Sequence, residues 1–324
     1  ALMLLPYWTD GCIDSMEGLF FESAASTPYH FLNQSELSAV PSRPQRDLPY
    51  SELNVADGVR HLQEIGVRYY MAVSTKAIDQ ANQIADLEPV AESGEFAATI
   101  NQEGASSAVS RKWQIYRVKD SALVAPLDYL PAVMTAVPKG GREWQDAAVK
   151  AYTAKGDRTV LYAASGPKEW PRVTRPQTSP PLVEVANPAR VSHITDGDDR
   201  ISFDVDRVGV PVVVKASYFP NWKAEGAKGP YRVTPNLMVV IPTSKHVSLH
   251  YGVTPVDLFA NSLSLLGLAG LGGLWWWGRR PEPPASEPAE EPPAAQSAPP
   301  LDNAVDDDEA DWLKELAGVG GLGS

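Results

Sequence analysis

Hydrophobic and polar positions change their spacing along this chain, and each change marks a different kind of element. Between residues 49 and 134 helical and strand periods alternate. Asp57 can cap a helix that places Val59, Leu62 and Ile65 on one face, and Gly66 stops it. Residues 67–73, VRYYMAV, are β-branched and aromatic and predict a strand. Residues 76–87 predict a second amphipathic helix with Ile78, Ala81, Ile84 and Ala85 inward. Residues 112–118 and 122–127 predict strands, and 140–152 a helix. From 159 to 253 the pattern is strand and turn throughout. Turn signals such as Gly166-Pro167, Asn187-Pro188, Asp196-Gly197 and Gly229-Pro230 separate the apolar runs, which predicts a β-sandwich.

The period then disappears. Residues 256–277, VDLFANSLSLLGLAGLGGLWWW, carry no charge from Leu258 onward. As a helix at ~1.5 Å per residue this stretch rises about 33 Å, close to the hydrocarbon thickness of a bilayer. Trp275, Trp276 and Trp277 stand where an interfacial aromatic belt would, and Arg279 and Arg280 mark the cytoplasmic flank by the positive-inside rule. The expectation is a transmembrane helix, with residues 1–255 extracytoplasmic and 278–324 cytoplasmic. A buried core helix is the alternative, because Asn261, Ser262 and Ser264 dilute the first half. Ala269 and Gly273 have small-xxx-small spacing, which lets helix backbones approach closely. No other stretch could span, so packing partners are expected to be upstream transmembrane helices of the same protein.

Residues 1–8 are apolar and predict a buried strand. Thr27-Pro28 interrupts any helix there, since proline disfavours the α region before it, so 1–48 is expected to be an irregular, loop-rich segment packed on the α/β unit. Residues 281–300 are rich in Pro, Glu and Ala and too poor in apolar side chains to fold. Residues 306–316 predict a short acidic helix with Trp312, Leu313 and Leu316 on one face, either as a docking peptide or as a frayed end. The expected fold class is α+β. It comprises a small α/β domain at 49–150, a β-sandwich at 151–255, a transmembrane helix at 256–277 and a disordered acidic tail at 278–324.

Composition alters this picture in two places. The net charge of −12 resides mostly in the tail, where residues 281–324 hold eleven acids and only Lys314 as a base. The remainder is nearly neutral and has no basic face for nucleic acid. The single Cys12 excludes an internal disulfide, so an extracytoplasmic domain must be held by its core alone. The chain begins at Ala1 without a basic, apolar leader, and with Arg279 and Arg280 inside something upstream has to carry residues 1–255 across. The expectation is therefore the C-terminal piece of a longer membrane protein.

Four segments carry a resemblance: 8–38 (WTDGCIDSMEGLFFESAASTPYHFLNQSELS), 57–73 (DGVRHLQEIGVRYYMAV), 217–252 (SYFPNWKAEGAKGPYRVTPNLMVVIPTSKHVSLHYG) and the helix that follows. Together they resemble the C-terminal part of actinobacterial polytopic membrane proteins of the YfhO-like, GT-C glycosyltransferase type, some labelled 6-pyruvoyl-tetrahydropterin synthase-related. The resemblance covers most of residues 1–277. It implies transfer of sugar from a polyprenyl-linked donor to a glycan acceptor, with the catalytic carboxylate in a region this chain lacks. No catalytic residue is carried over. The pterin-synthase label implies a clustered histidine zinc site, yet His30, His61, His193, His246 and His250 are scattered.

Sugar hydroxyls are bridged by carboxylates and amides, and sugar C–H faces stack on aromatic rings. Asp10, Asp14, Glu17, Glu22, Tyr29 and His30 supply those groups in one stretch, and are the expected substrate-binding residues. Capping of short helices by the same acids is the competing account. Tyr218 and Trp222, around Pro220-Asn221, are a second candidate platform; otherwise they pack the sandwich edge or touch lipid headgroups. His246 and His250 share a strand face as surface histidines. Asp196-Gly197-Asp198-Asp199 lacks the spaced ligands of a calcium loop and predicts a hairpin turn. No phosphate-binding loop or nucleophile elbow is present, and no cofactor or metal is expected. The leading expectation is an extracytoplasmic module that assists donor or acceptor binding, with chemistry elsewhere. The alternative is a non-catalytic membrane-anchored scaffold.

Overall fold

The computed structural model describes residues 4–13, 25–102, 105–154 and 160–279. The described residues divide into two units, one up to Ser262 and one from Leu263. The predicted acidic tail and its 306–316 helix lie outside the described residues.

The N-terminus departs from expectation. Leu5–Trp8 is a single helical turn, α1, and Tyr7 and Trp8 are exposed, so it is not a buried strand. Thr27–Leu37 is a helix, α2, where an irregular segment was expected. Pro28 does not break it, because it sits in the first turn. There a missing N–H costs nothing and the fixed φ suits the helix. α3 (Val55–Ile65) is capped by Asn54, whose side chain accepts from the Asp57 N–H, and it ends at Gly66 with φ 78°. α2 and α3 cross closely at Gly58, where a Cβ would lie 2.5 Å from Leu37 Cδ2.

The small unit continues with β1 (Tyr69–Ala72), α4 (Thr75–Ala81), β2 (Leu87–Glu92), the hairpin β3 (Phe96–Gln102) and β4 (Ala105–Arg111), and β5 (Gln114–Val118). α4 is shorter than predicted, and Leu87 opens a strand instead of ending the helix. β5 lies between β1 and β2 in an antiparallel sheet. Val55, Val59 and Leu62 of α3 and Ala77 and Ala81 of α4 join Tyr70 and Tyr116 in its core.

Next come β6 (Val124–Pro126), β7 (Ala132–Met134), α5 (Gly141–Tyr152), β8 (Tyr162–Ala163) and β9 (Arg172–Val173). They are followed by β10 (Val191–Asp196), β11 (Arg200–Val205), β12 (Val212–Val214), β13 (Trp222–Glu225), β14 (Ala227–Val233), β15 (Leu237–Pro242) and β16 (His246–Tyr251). A seven-stranded sheet has the order β6-β12-β15-β14-β8-β7-β9, and a four-stranded sheet β10-β11-β16-β13. Their inner faces meet: Ile201, Phe203, Val247 and Leu249 of the smaller sheet are buried with Val212, Val214, Met238 and Val240 of the larger. This is the expected sandwich. Its large sheet recruits β6 and β7 from the stretch assigned to the first domain, so the strand-rich part begins before residue 150. The fold is α+β.

α6 (Pro255–Gly278) has 24 residues and no buried side chain. At ~1.5 Å per residue it is about 36 Å long. It is the one described helix long and apolar enough to cross a membrane.

Candidate functional site

The outer face of the four-stranded sheet is built by strand alternation. In β11 Ile201, Phe203 and Val205 are buried, which turns Arg200, Ser202 and Asp204 outward. In β16 Val247 and Leu249 face the core, which turns His246, Ser248 and His250 to the other side, where Ser248 is itself buried among its neighbours. Register then decides which of these meet. Asp204 pairs with His246, Ser202 with Ser248 and Arg200 with His250. On the other flank Ser248 pairs with Glu225 and His250 with Lys223. The result is a grid of hydroxyl, carboxylate, imidazole and cationic groups on a rigid sheet.

Two strands converge on Asp204. Its Oδ1 lies 2.7 Å from His246 Nδ1 and its Oδ2 2.9 Å from His193 Nδ1. These bonds, the one from His246 foremost, hold the Asp204 carboxyl below its ordinary range. His193 reaches in from a bulged stretch of β10, where its φ is 49°. Arg200 donates to Ser248 Oγ at 3.4 Å, and His250 Nδ1 lies 3.6 Å from Glu225 Oε1. Arg200, Ser202, Glu225, Gly226, Ser244, His246 and Ser248 line an open cavity of about 550 Å³.

This chemistry suits binding. Among the described residues no serine hydroxyl hydrogen-bonds the imidazole of His246 or His193. Among the described residues no three His, Cys, Asp or Glu side chains are grouped to hold a metal ion. The face sets donors and acceptors side by side at a strand spacing of about 5 Å.

The residues expected from the sequence are not gathered at this face. Asp10 is exposed in the turn after α1. Asp14, Glu17 and Glu22 lie outside the described residues. Tyr29 is only 2 % exposed and sits in the core against Tyr152, so its ring offers no face to a sugar; burial also pushes its phenol pKa up. His30 is half-buried on α2 beside Phe31. Tyr218 is partly buried, packs on the sandwich core and lies 5.6 Å from the Arg232 guanidinium. Trp222 is half-buried at the open end of the sandwich, edge-on to Tyr251. Sequence reasoning placed His246 and His250 on one surface but missed Asp204, His193, Arg200 and Glu225. Alternation marks these as outward-facing, but only register makes them neighbours.

A second polar cluster is buried between α2, α3 and α5. His61, 1 % exposed, has Nδ1 2.5 Å from Glu36 Oε2 and Nε2 3.0 Å from the Tyr152 carbonyl. A carbonyl only accepts, so Nε2 carries a proton and donates. One further proton then lies between Nδ1 and the Glu36 carboxyl. The imidazole stacks on Tyr152 at 3.8 Å, and Asn33 Nδ2 donates to the Gly58 carbonyl at 2.9 Å. This cluster joins helices and is closed to ligands. No protein-family model, curated protein or solved structure matches this chain.

Proposed function

We propose that this chain is the extracytoplasmic C-terminal module and last membrane helix of a cell-envelope glycosyltransferase that uses a lipid-linked sugar donor. The polar face of its sandwich holds the glycan acceptor. Catalysis belongs to another part of the parent protein. The observation that carries this reading is the grid around Asp204, Ser248 and Arg200, set on a sheet whose last strand runs within a few residues of α6. Arg279 and Arg280 on the far flank of the helix support a reading with the sandwich outside the cell. The uncovered small residues of α6, Gly267, Gly270 and Gly273, suit packing against upstream transmembrane helices.

The test is glycan-array binding by the full chain in lipid nanodiscs, with empty nanodiscs as the control. Ser248→Val and Arg200→Ala are expected to weaken the binding about tenfold or more, the loss of one or two hydrogen bonds to a charged or buried partner, without lowering the melting temperature. Absence of any glycan signal from the unaltered chain refutes the reading. Asp14→Ala and Glu17→Ala test whether the acidic N-terminal segment shares in binding. If they lower only thermal stability, that segment is structural.

A further inference from the structure

The glycan binding proposed for the polar face does not call on the aromatic end of the sandwich. Tyr251 closes β16, and α6 starts four residues later, at Pro255. Trp222 is its register partner on β13. Tyr251 meets Trp222 edge-on at 5.6 Å and stacks with Phe219 at 5.9 Å. Trp222 packs inward against the core, which accounts for that ring. Core packing does not account for its neighbours: Phe219 is 52 % exposed, Tyr251 44 %, and Val253 more still.

The patch is strapped to the root of the helix. Asn221, between Phe219 and Trp222, donates through Nδ2 to the Gly252 carbonyl at 2.8 Å and to Asp257 Oδ2 at 2.9 Å. The Gly252 N–H returns a bond to the Asn221 carbonyl at 2.9 Å. Thr254 donates to Asp257 Oδ2 from both N–H and hydroxyl at 2.7 Å. The loop that bears Phe219 therefore cannot move apart from the first turn of α6, where Val256 and Phe259 are exposed as well.

We propose that Phe219, Tyr251 and Val253 form a lipid-docking surface that inserts at the bilayer interface and fixes the sandwich on the membrane. This rests on the reading of α6 as a membrane span. The occupant is lipid because the patch is continuous, through hydrogen bonds and sequence, with side chains that enter the bilayer. Tyr251, with one apolar and one polar edge, favours the headgroup level, and Phe219 and Val253 add apolar area beside it. Charge beside the patch is mixed, with the Tyr251 N–H on the carbonyl of Asp199 in an acidic turn and Lys223 Nζ donating to the Pro220 carbonyl, so the apolar rings themselves drive insertion. Insertion is thus expected in purely zwitterionic vesicles and at high salt.

Depth is measured by spin labels on the full chain, in a Cys12→Ser background, reconstituted in phosphatidylcholine nanodiscs. Labels go at Phe219→Cys and Val253→Cys, with Val208→Cys and Leu266→Cys as references. Val208 is 51 % exposed and follows β11 at the His246 end of the sheet, about 17 Å from Tyr251 along the strand. The oxygen-to-nickel accessibility ratio is expected to be highest at 266, several-fold above the aqueous value at 219 and 253, and aqueous at 208. A deep label at 266 with aqueous labels at both 219 and 253 overturns the docking surface while the span stands. An aqueous label at 266 overturns the span and the docking surface together. The two patch variants lie on different segments, so misfolding of one leaves the other informative.

Discussion

Replacing His61 by alanine removes the pivot of the helical junction, and its cost can be worked from the contacts. Glu36 is 8 % exposed and has two side-chain partners, His61 at 2.5 Å and Asn33 at 3.4 Å. Without the imidazole its carboxyl keeps only the longer bond. Breaking one side of a buried pair typically costs about 3–5 kcal/mol, because the remaining charge is uncompensated. The lost stack on Tyr152 is worth about 1 kcal/mol and falls within that range. A loss of roughly 4 kcal/mol is a large part of the ~5–15 kcal/mol that holds a typical domain together. Urea unfolding of the full chain in detergent micelles, followed by circular dichroism, reads it as a drop in the midpoint. The cycle with Glu36→Gln is the sharper measurement. Once His61 is gone, neutralising Glu36 removes the stranded charge, so the double variant is expected to be about 2 kcal/mol more stable than the summed single costs predict. Additivity within ~0.5 kcal/mol would refute the reasoning, since it would mean that the two groups do not share a proton or a charge.

Other consequences are as direct. Asn54→Ala removes the N-cap bond to the Asp57 N–H and is expected to cost about 1 kcal/mol in the same unfolding assay. The Asp204 carboxyl, held low by His246 and then His193, is expected to titrate at higher pH in His246→Asn, and by a smaller shift in His193→Asn, as read by carboxyl carbon-13 resonances. A carboxyl whose folded value is depressed stabilises the fold fully above its ordinary range and loses that contribution as pH falls through the depressed value. The hydrogen-bonded face is therefore expected to loosen only in acid, below the usual carboxylate range. Cys12 is exposed, so a membrane-impermeant maleimide is expected to label the parent protein in intact cells, and less so in a Cys12→Ser variant. Labelling only after permeabilisation would reverse the proposed sidedness.

Much of the architecture could be read from local pattern. Gly66 ends α3 because its backbone takes a positive φ, and the alternation in ISFDVD and HVSLHY gives both the strands and their inner faces. The length and apolar run of α6 depend on composition alone. Pro28 misled because proline carries two meanings, breaker and first-turn residue, and only the downstream packing of α2 on α3 selects between them. The hairpin of β3 and β4 is rich in small polar residues and carries no apolar period to announce it.

What the sequence determined is every preference that acts over a few residues: caps, stops, alternation and the oily helix. Tertiary structure alone decided the contacts between distant residues. Glu36 meets His61 across 25 positions and Asp204 meets His246 across 42. Alternation says which way a side chain points, but strand register and helix crossing say what stands opposite. Those are fixed by burial of the whole apolar set at once, because a slip of one residue in a strand would turn every buried side chain to water.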